Sequence, residues 1–134
     1  MGKTKKYSYD YEQYEEGKGS ASMVDEILED PEFLQVTDLV IGCWGNPCEE
    51  DCQAILDGIV NHRDRFAHVE KLFVGDMDYE ECEASWIIQG NYQKLWEALP
   101  QLKELTIKGS TDLELGEISH DTLEALTIIC GGLP

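Results

Sequence analysis

Four segments of the chain share one pattern, an apolar residue, two variable positions, Leu, one variable position and Ile or Val. They are Val36-Thr37-Asp38-Leu39-Val40-Ile41, Val69-Glu70-Lys71-Leu72-Phe73-Val74, Leu102-Lys103-Glu104-Leu105-Thr106-Ile107 and Leu123-Glu124-Ala125-Leu126-Thr127-Ile128. From Leu39 to Leu72 is 33 residues, from Leu72 to Leu105 is 33, and from Leu105 to Leu126 is 21. Regular self-similarity at this scale is the mark of stacked strand–connection units. Each segment reads as a short strand, and the first three are followed by a glycine (Gly42, Gly75, Gly109) that suits a tight exit turn.

The stretches between these strands carry helix signals. Asn46-Pro47-Cys48-Glu49 has the form of a capping box, and Cys52, Ile55, Leu56, Ile59 and Val60 behind it make one apolar stripe. A second helix is expected from about Asn91, with Tyr92, Leu95, Trp96 and Leu99 on one face and Pro100 closing it. A third precedes the first strand, where Ser20 or Ser22 caps Val24, Ile27 and Leu28 ahead of Asp30-Pro31. The 21-residue step leaves no room for a comparable helix, so residues 112–119 should be extended or a short 3₁₀ turn.

Parallel strands need crossovers of a dozen residues or more, usually helical. Two α/β architectures meet that need. A doubly wound sheet is buried on both faces and its strands are continuous apolar runs. Leu39-Val40-Ile41 and Leu72-Phe73-Val74 fit that description, whereas Leu105-Thr106-Ile107 and Leu126-Thr127-Ile128 alternate as one-sided burial requires. The regular spacing decides for an α/β, leucine-rich-repeat-like right-handed β/α solenoid with a short parallel sheet and helices on one face.

Residues 1–19 differ in kind. Tyr7, Tyr9, Tyr11 and Tyr14 sit among polar residues, and four Lys balance four acids. This Tyr-rich stretch is either a tail or a strand that caps the first unit, and Gly17-Lys18-Gly19-Ser20 links it to the domain of residues 20–134. The last strand, ending at Thr127-Ile128-Ile129, has no helix after it and leaves an edge open. That edge offers self-association, or marks residues 20–134 as the N-terminal part of a longer solenoid.

Charge narrows the partners. The 134 residues carry 10 Lys+Arg against 28 Asp+Glu, a formal net charge of -18, all of it in residues 20–134. Such a surface repels phosphate backbones and anionic lipids, so neither nucleic acid nor membrane is an expected partner. No signal peptide follows the basic start, and five cysteines are an odd number, so a reduced, cytoplasmic protein is expected. Cys43, Cys48 and Cys52 are spaced C-x4-C-x3-C, unlike zinc or iron–sulfur ligand sets, and read as small buried hydrophobes. No metal or cofactor is called for.

The strands resemble those of bacterial leucine-rich-repeat proteins. More narrowly, Leu39–Gly45 (LVIGCWG), Phe73–Ile87 (FVGDMDYEECEASWI) and Gly131-Gly132-Leu133-Pro134 are similar to an uncharacterised bacterial family. Its members are often called cytoplasmic leucine-rich-repeat proteins, and some take the name of molybdate-metabolism regulators. The likeness covers roughly residues 20–134 and implies the solenoid, without an established activity. The 33-residue spacing exceeds the usual 20–29 of such repeats, and Gly or Lys stands where Asn commonly follows the strand.

Three features remain as candidates for chemistry. Asp76, Asp78, Glu80, Glu81 and Glu83 crowd five carboxylates behind the second of these strands. They read as solvated surface, as a docking patch for a basic partner, or as a metal site, although the central Gly and the twelfth-position Glu of a calcium loop are missing. His62, His68 and His120 lie beside no recognised nucleophile pattern, so no catalytic residue is assigned and no enzyme activity is expected. The remaining feature is the outward strand face. With Leu and Ile or Val directed inward, one outward column is Val40, Phe73, Thr106 and Thr127, and its neighbour is Asp38, Lys71, Glu104 and Ala125. Adjacent exposed Val40 and Phe73 can seed an interface, or the N-terminal stretch can bury Phe73; on the first reading a protein or peptide, basic to suit the charge, is the expected partner. The residues expected to hold it are Val40, Lys71, Phe73, Glu104, Thr106 and Thr127. The alternative is an accessory subunit or metal-dependent enzyme using Asp76–Glu83. A thermal-shift scan with divalent cations separates the two, because a real site raises the melting temperature.

Overall fold

The structure is a computed structural model and describes residues 3–45, 50–76, 87–109, 112–118, 120 and 122–129. Five strands form one all-parallel sheet whose spatial order follows the chain: β1 (Thr4–Tyr9), β2 (Asp38–Trp44), β3 (Lys71–Val74), β4 (Glu104–Lys108) and β5 (Ala125–Ile129). The expected α/β class with a parallel sheet is what forms. Leu39 pairs with Leu72, Leu72 with Leu105 and Leu105 with Leu126, so the four leucines lie on equivalent rungs.

The 33-residue spacing extends beyond the strands. Val36, Val69 and Leu102 each donate an N–H to the carbonyl three residues back, on Phe33, Phe66 and Leu99, at 3.0, 3.0 and 3.2 Å. The chain thus enters β2, β3 and β4 through the same turn, with its apolar residue buried each time. One residue ahead of each strand, a single carbonyl bridges to the next: Thr37 O accepts from Glu70 N–H at 2.8 Å, and Glu70 O from Lys103 N–H at 2.6 Å. Lys103 O does the same for Glu124 N–H at 2.7 Å, even though the step is shorter there.

Burial is one-sided. Leu39, Ile41, Leu72, Val74, Leu105 and Ile107 are buried, while Val40, Phe73 and Thr106 between them are half-exposed. Consecutive apolar residues therefore do not mark strands covered on both faces here. The inward side joins a single core with residues from the crossovers, among them Val24, Ile27, Ile55, Leu56, Ile59, Leu95 and Trp96.

Among the described residues the helices are α1 (Tyr11–Glu15), α2 (Ser20–Glu29), α3 (Gln53–Asn61), α4 (Arg63–Phe66) and α5 (Leu95–Ala98), with a 3₁₀ turn over Pro31–Gln35. Gly19, not a serine, is the N-cap of α2, and its N–H donates to Ser22 Oγ at 3.0 Å. Helix α3 starts at Gln53 behind Cys52, and its stripe Cys52, Ile55, Leu56 and Ile59 is buried, with Val60 half-buried. The capping box expected at Asn46–Glu49 lies outside the described residues. α2 packs on α3 and α3 on α5.

Two further expectations are corrected. The helix expected from Asn91 is a single turn, Leu95–Ala98. The preceding backbone is committed elsewhere: Asn91 bridges to Glu114, with Tyr92 N–H on Glu114 O at 2.8 Å and Glu114 N–H on Gly90 O at 3.1 Å. Gly42 does not end its strand, because β2 runs on to Trp44 and Gly45 makes the turn at φ 102°. Gly75 does hold the expected place at φ 98°, where a Cβ would lie 2.6 Å from Lys108 O. No helix among the described residues is long and apolar enough to cross a membrane.

Candidate functional site

The outward face of the sheet follows from the register alone. Pairing aligns Lys6, Val40, Phe73, Thr106 and Thr127 in one column and Thr4, Asp38, Lys71, Glu104 and Ala125 in the next. Val40, Phe73 and Thr106 floor a shallow depression of about 260 Å³ that Asp38, Lys71 and Glu104 rim. Two apolar side chains thus stand side by side, partly exposed, within a polar border.

The border is electrostatically ordered. Lys71 Nζ lies 2.8 Å from Glu104 Oε2, and this hydrogen bond, with the charges of Glu104 and Asp38, raises the Lys71 pKa. Asp38 accepts hydroxyls from Thr4 and from Thr37, each at 3.2 Å. At the other end of the face, Lys6 Nζ approaches Asp76 Oδ2 at 4.0 Å. Gly42 makes that approach possible: a Cβ there would sit 2.5 Å from Lys6 Cε and 3.2 Å from Asp76 O. Its bare backbone lets a lysine of β1 lean across β2 toward the end of β3.

The sequence-predicted residues fall out unevenly. Val40, Lys71, Phe73, Glu104 and Thr106 share the depression, while Thr127 stands on the exposed β5 in register with Thr106. Of the acidic patch only Asp76 is described; Asp78, Glu80, Glu81 and Glu83 lie outside the described residues. Thr4, Lys6 and Gly42 contribute to the face and were not picked out from the sequence. Residues 1–19 read as a tail or as a strand capping the first unit, and β1 lies beside β2.

Among the described residues, two buried cysteines and two of the histidines serve the fold. Cys43 and Cys52 are buried, and burial pushes the Cys52 thiol up to about 12, so it stays protonated. Cys48, Cys82 and Cys130 lie outside the described residues. The fully buried Gln89 accepts from Tyr92 OH at 2.6 Å and from Cys52 Sγ at 3.3 Å, and its Nε2 donates to Lys108 O at 2.8 Å. No sequence signal distinguished this glutamine from any exposed one. His68 Nε2 meets Phe33 O at 2.9 Å and His120 Nε2 meets Leu99 O at 2.6 Å, so both rings secure carbonyls of the preceding turns. Among the described residues no three His, Cys, Asp or Glu side chains could hold a metal ion.

At the β1 edge, polar tips close the core. Lys5, Tyr7 and Tyr9 point toward α2 and the 3₁₀ turn. Tyr7 OH donates to Asp30 Oδ2 at 2.8 Å, Tyr9 OH donates to Glu26, and Lys5 pairs with Asp30 and, at 3.1 Å, with Glu32. The Lys5 and Tyr7 hydrogen bonds hold the Asp30 carboxyl at about 2.

A crystal structure of a protein from Bacteroides fragilis, solved as a Northeast Structural Genomics Consortium target, is similar to this chain at 44% sequence identity and a TM-score of 0.86. The match covers 97% of this chain and 36% of that one, so the chain spans about a third of that protein's length. No protein-family model matches the chain, and no curated protein matches it.

Proposed function

We propose that the chain is a leucine-rich-repeat-like, right-handed β/α solenoid, related to the bacterial leucine-rich-repeat proteins its strands resemble, and that it works as a protein-interaction module. Two observations support the solenoid reading. The strand order runs β1 to β5 without the reversal that a doubly wound sheet needs, and one face of the sheet is left half-exposed. The outward strand face is then concave and holds a protein or peptide partner on Val40, Lys71, Phe73, Glu104, Thr106 and Thr127.

The observation that carries the function is the pairing of Val40 with Phe73, two half-exposed apolar neighbours in one depression with charged side chains around it. An interface hot spot has this form, an apolar anchor site inside a polar rim. Asp38, Glu104 and Asp76 outnumber the two lysines beside them, and the whole chain stands at -18. The partner is therefore a segment with one apolar anchor flanked by basic residues, attracted over a distance that salt shortens.

Affinity capture from the native host with the wild-type chain and Phe73→Ser side by side tests the reading. A hot-spot truncation of about 2 kcal/mol lowers affinity about 30-fold, so the variant should lose the protein that the wild type retains. Its melting temperature should stay within a few degrees. Equal capture by both chains overturns the face as the binding site, and a collapse in stability assigns Phe73 to the core.

A further inference from the structure

The chain enters β2, β3 and β4 through one kind of turn and β5 through a variant of it. Val36, Val69 and Leu102 each donate an N–H to the backbone carbonyl three residues back, on Phe33, Phe66 and Leu99. Leu123 holds the same place ahead of β5, but its N–H meets a side chain three residues back, lying 3.0 Å from Nδ1 of His120. Thr122 N–H reaches the same nitrogen at 3.1 Å. The imidazole therefore stands where the other three entries use a peptide oxygen. A carbonyl keeps its lone pairs when histidines titrate, whereas an imidazole nitrogen accepts only while it is unprotonated.

The partners fix the state of the ring. Backbone N–H groups can only donate, so Nδ1 carries no hydrogen. The proton is then on Nε2, which donates at 2.6 Å to Leu99 O, the carbonyl that also closes the entry turn of β4. Neutral His120 thus ties the entry of β5 to that of β4, and Thr122 Oγ1 adds a second tie by donating to Pro100 O at 2.8 Å. His68 supplies the contrast. Its Nε2 meets Phe33 O at 2.9 Å in the corresponding turn, yet among the described residues no N–H rests on its Nδ1. A second proton leaves the His68 bond in place and takes the acceptor from His120.

We propose that His120 is a pH-sensitive latch on β5, closing the strand entry when neutral and releasing it when protonated. A proton on Nδ1 sets one N–H against two others, and both backbone donors lose their acceptor. Thr122 Oγ1, 3.3 Å from Nδ1, can accept from the new N–H, but that leaves the two donors unserved. Charged side chains on the neighbouring segments do not take over. Glu97 of α5, Glu117 and Glu124 are exposed, Lys103 pairs with Glu70 at 3.1 Å, and among the described residues none of them bonds the ring. Asp121, next to His120 in the chain, lies outside the described residues. Acid therefore favours the open entry and alkali the closed one, across the range of roughly pH 8 to pH 5 in which histidine changes charge.

Amide exchange of the whole chain across that range, followed by NMR and expressed as protection relative to free peptide, reads the latch. Protection of Leu123 N–H should fall about 10-fold toward the acid end, the weight of one hydrogen bond. Protection of Val36, Val69 and Leu102 should stay level. At the alkaline end the ring nitrogen spectrum should show His120 protonated at Nε2. His120→Asn keeps a short acceptor for the N–H groups two and three residues on, does not titrate, and should flatten the Leu123 profile. Asp121→Asn should leave the wild-type fall in place. Level protection at Leu123, an equal fall at Val69, or a proton on Nδ1 at the alkaline end overturns the proposal. So does a fall that survives His120→Asn or disappears with Asp121→Asn.

Discussion

The two edges of the sheet solve one problem in opposite ways. Both outermost strands expose the end of an apolar layer. On β1 the inward positions are Lys5, Tyr7 and Tyr9, whose stems and rings cover the core while their tips bind Glu26, Asp30 and Glu32. On β5 the corresponding residues are Leu126 and Ile128, wholly apolar and more than a third exposed. Amphipathic side chains can finish a layer from within the chain, because each carries both the cover and the wet surface. Aliphatic ones cannot, and leave that work to another surface. Charge follows the same division: the lysines near the β1 edge, Lys3, Lys5 and Lys6, are all in ion pairs, whereas β5 has no charged residue.

The largest expected contrast lies along the leucine rung itself. Leu105→Ala removes a buried side chain between two strands and should cost about 2–5 kcal/mol, transfer and cavity together. Leu126→Ala, on the next strand of the same rung, opens no closed cavity and should cost about 1 kcal/mol. Urea unfolding measures both. Equal losses would mean that β5 is as well covered as β4 and would erase the difference between the edges.

The ladder was legible because its signal is local and repeated. Each strand from β2 to β5 writes Leu at the same place, and a parallel sheet needs only that spacing to align Val40 with Phe73 and Phe73 with Thr106. Less was legible wherever a role depends on a distant neighbour. Tyr92, Leu95, Trp96 and Leu99 read correctly as buried, but an i, i+3, i+4, i+7 pattern fits any compact turn that presents one side, and the bridge to Glu114 is not visible from residue 91. Gly42 looked like a turn glycine, and its use as a gap for Lys6 depends on strands 36 residues apart. The acids that hold Tyr7 and Tyr9 are two among 28, with nothing local to single them out.

An acid titration should loosen the β1 edge before β4. The Asp30 carboxyl sits at about 2 in the folded chain, below its ordinary 3.8, because Lys5 and then Tyr7 hydrogen-bond its charged form. A depressed carboxyl contributes stability that is complete above its unfolded value and is lost as pH falls through the folded one. Amide exchange in β1 should therefore speed up between roughly pH 4 and pH 2, ahead of β4, whose inward residues Leu105 and Ile107 do not titrate. The alkaline side has the opposite sign. Lys5 is raised above 10.5 by Asp30 and Glu32, so its share persists to that pH and disappears beyond it. Asp30→Asn should remove the acid response of β1, and a response that survives the substitution would place the sensitive group elsewhere.

The smallest effect isolates one hydroxyl. Tyr7→Phe keeps the ring over the core and deletes only the 2.8 Å bond to Asp30. Hydrogen bonds to charged groups contribute about 1.5–3 kcal/mol when buried, and this half-exposed one should fall at or below the low end, near 1 kcal/mol. For a chain of this size that is a shift of about 3–5 °C in melting temperature. In the Asp30→Asn background the same substitution should cost less, because the amide is a weaker acceptor than the carboxylate. The double-mutant cycle gives that coupling directly. Additive losses would mean that the Tyr7 hydroxyl does not act through Asp30, and the β1 edge would then differ from β5 in apolar cover and not in this polar tip.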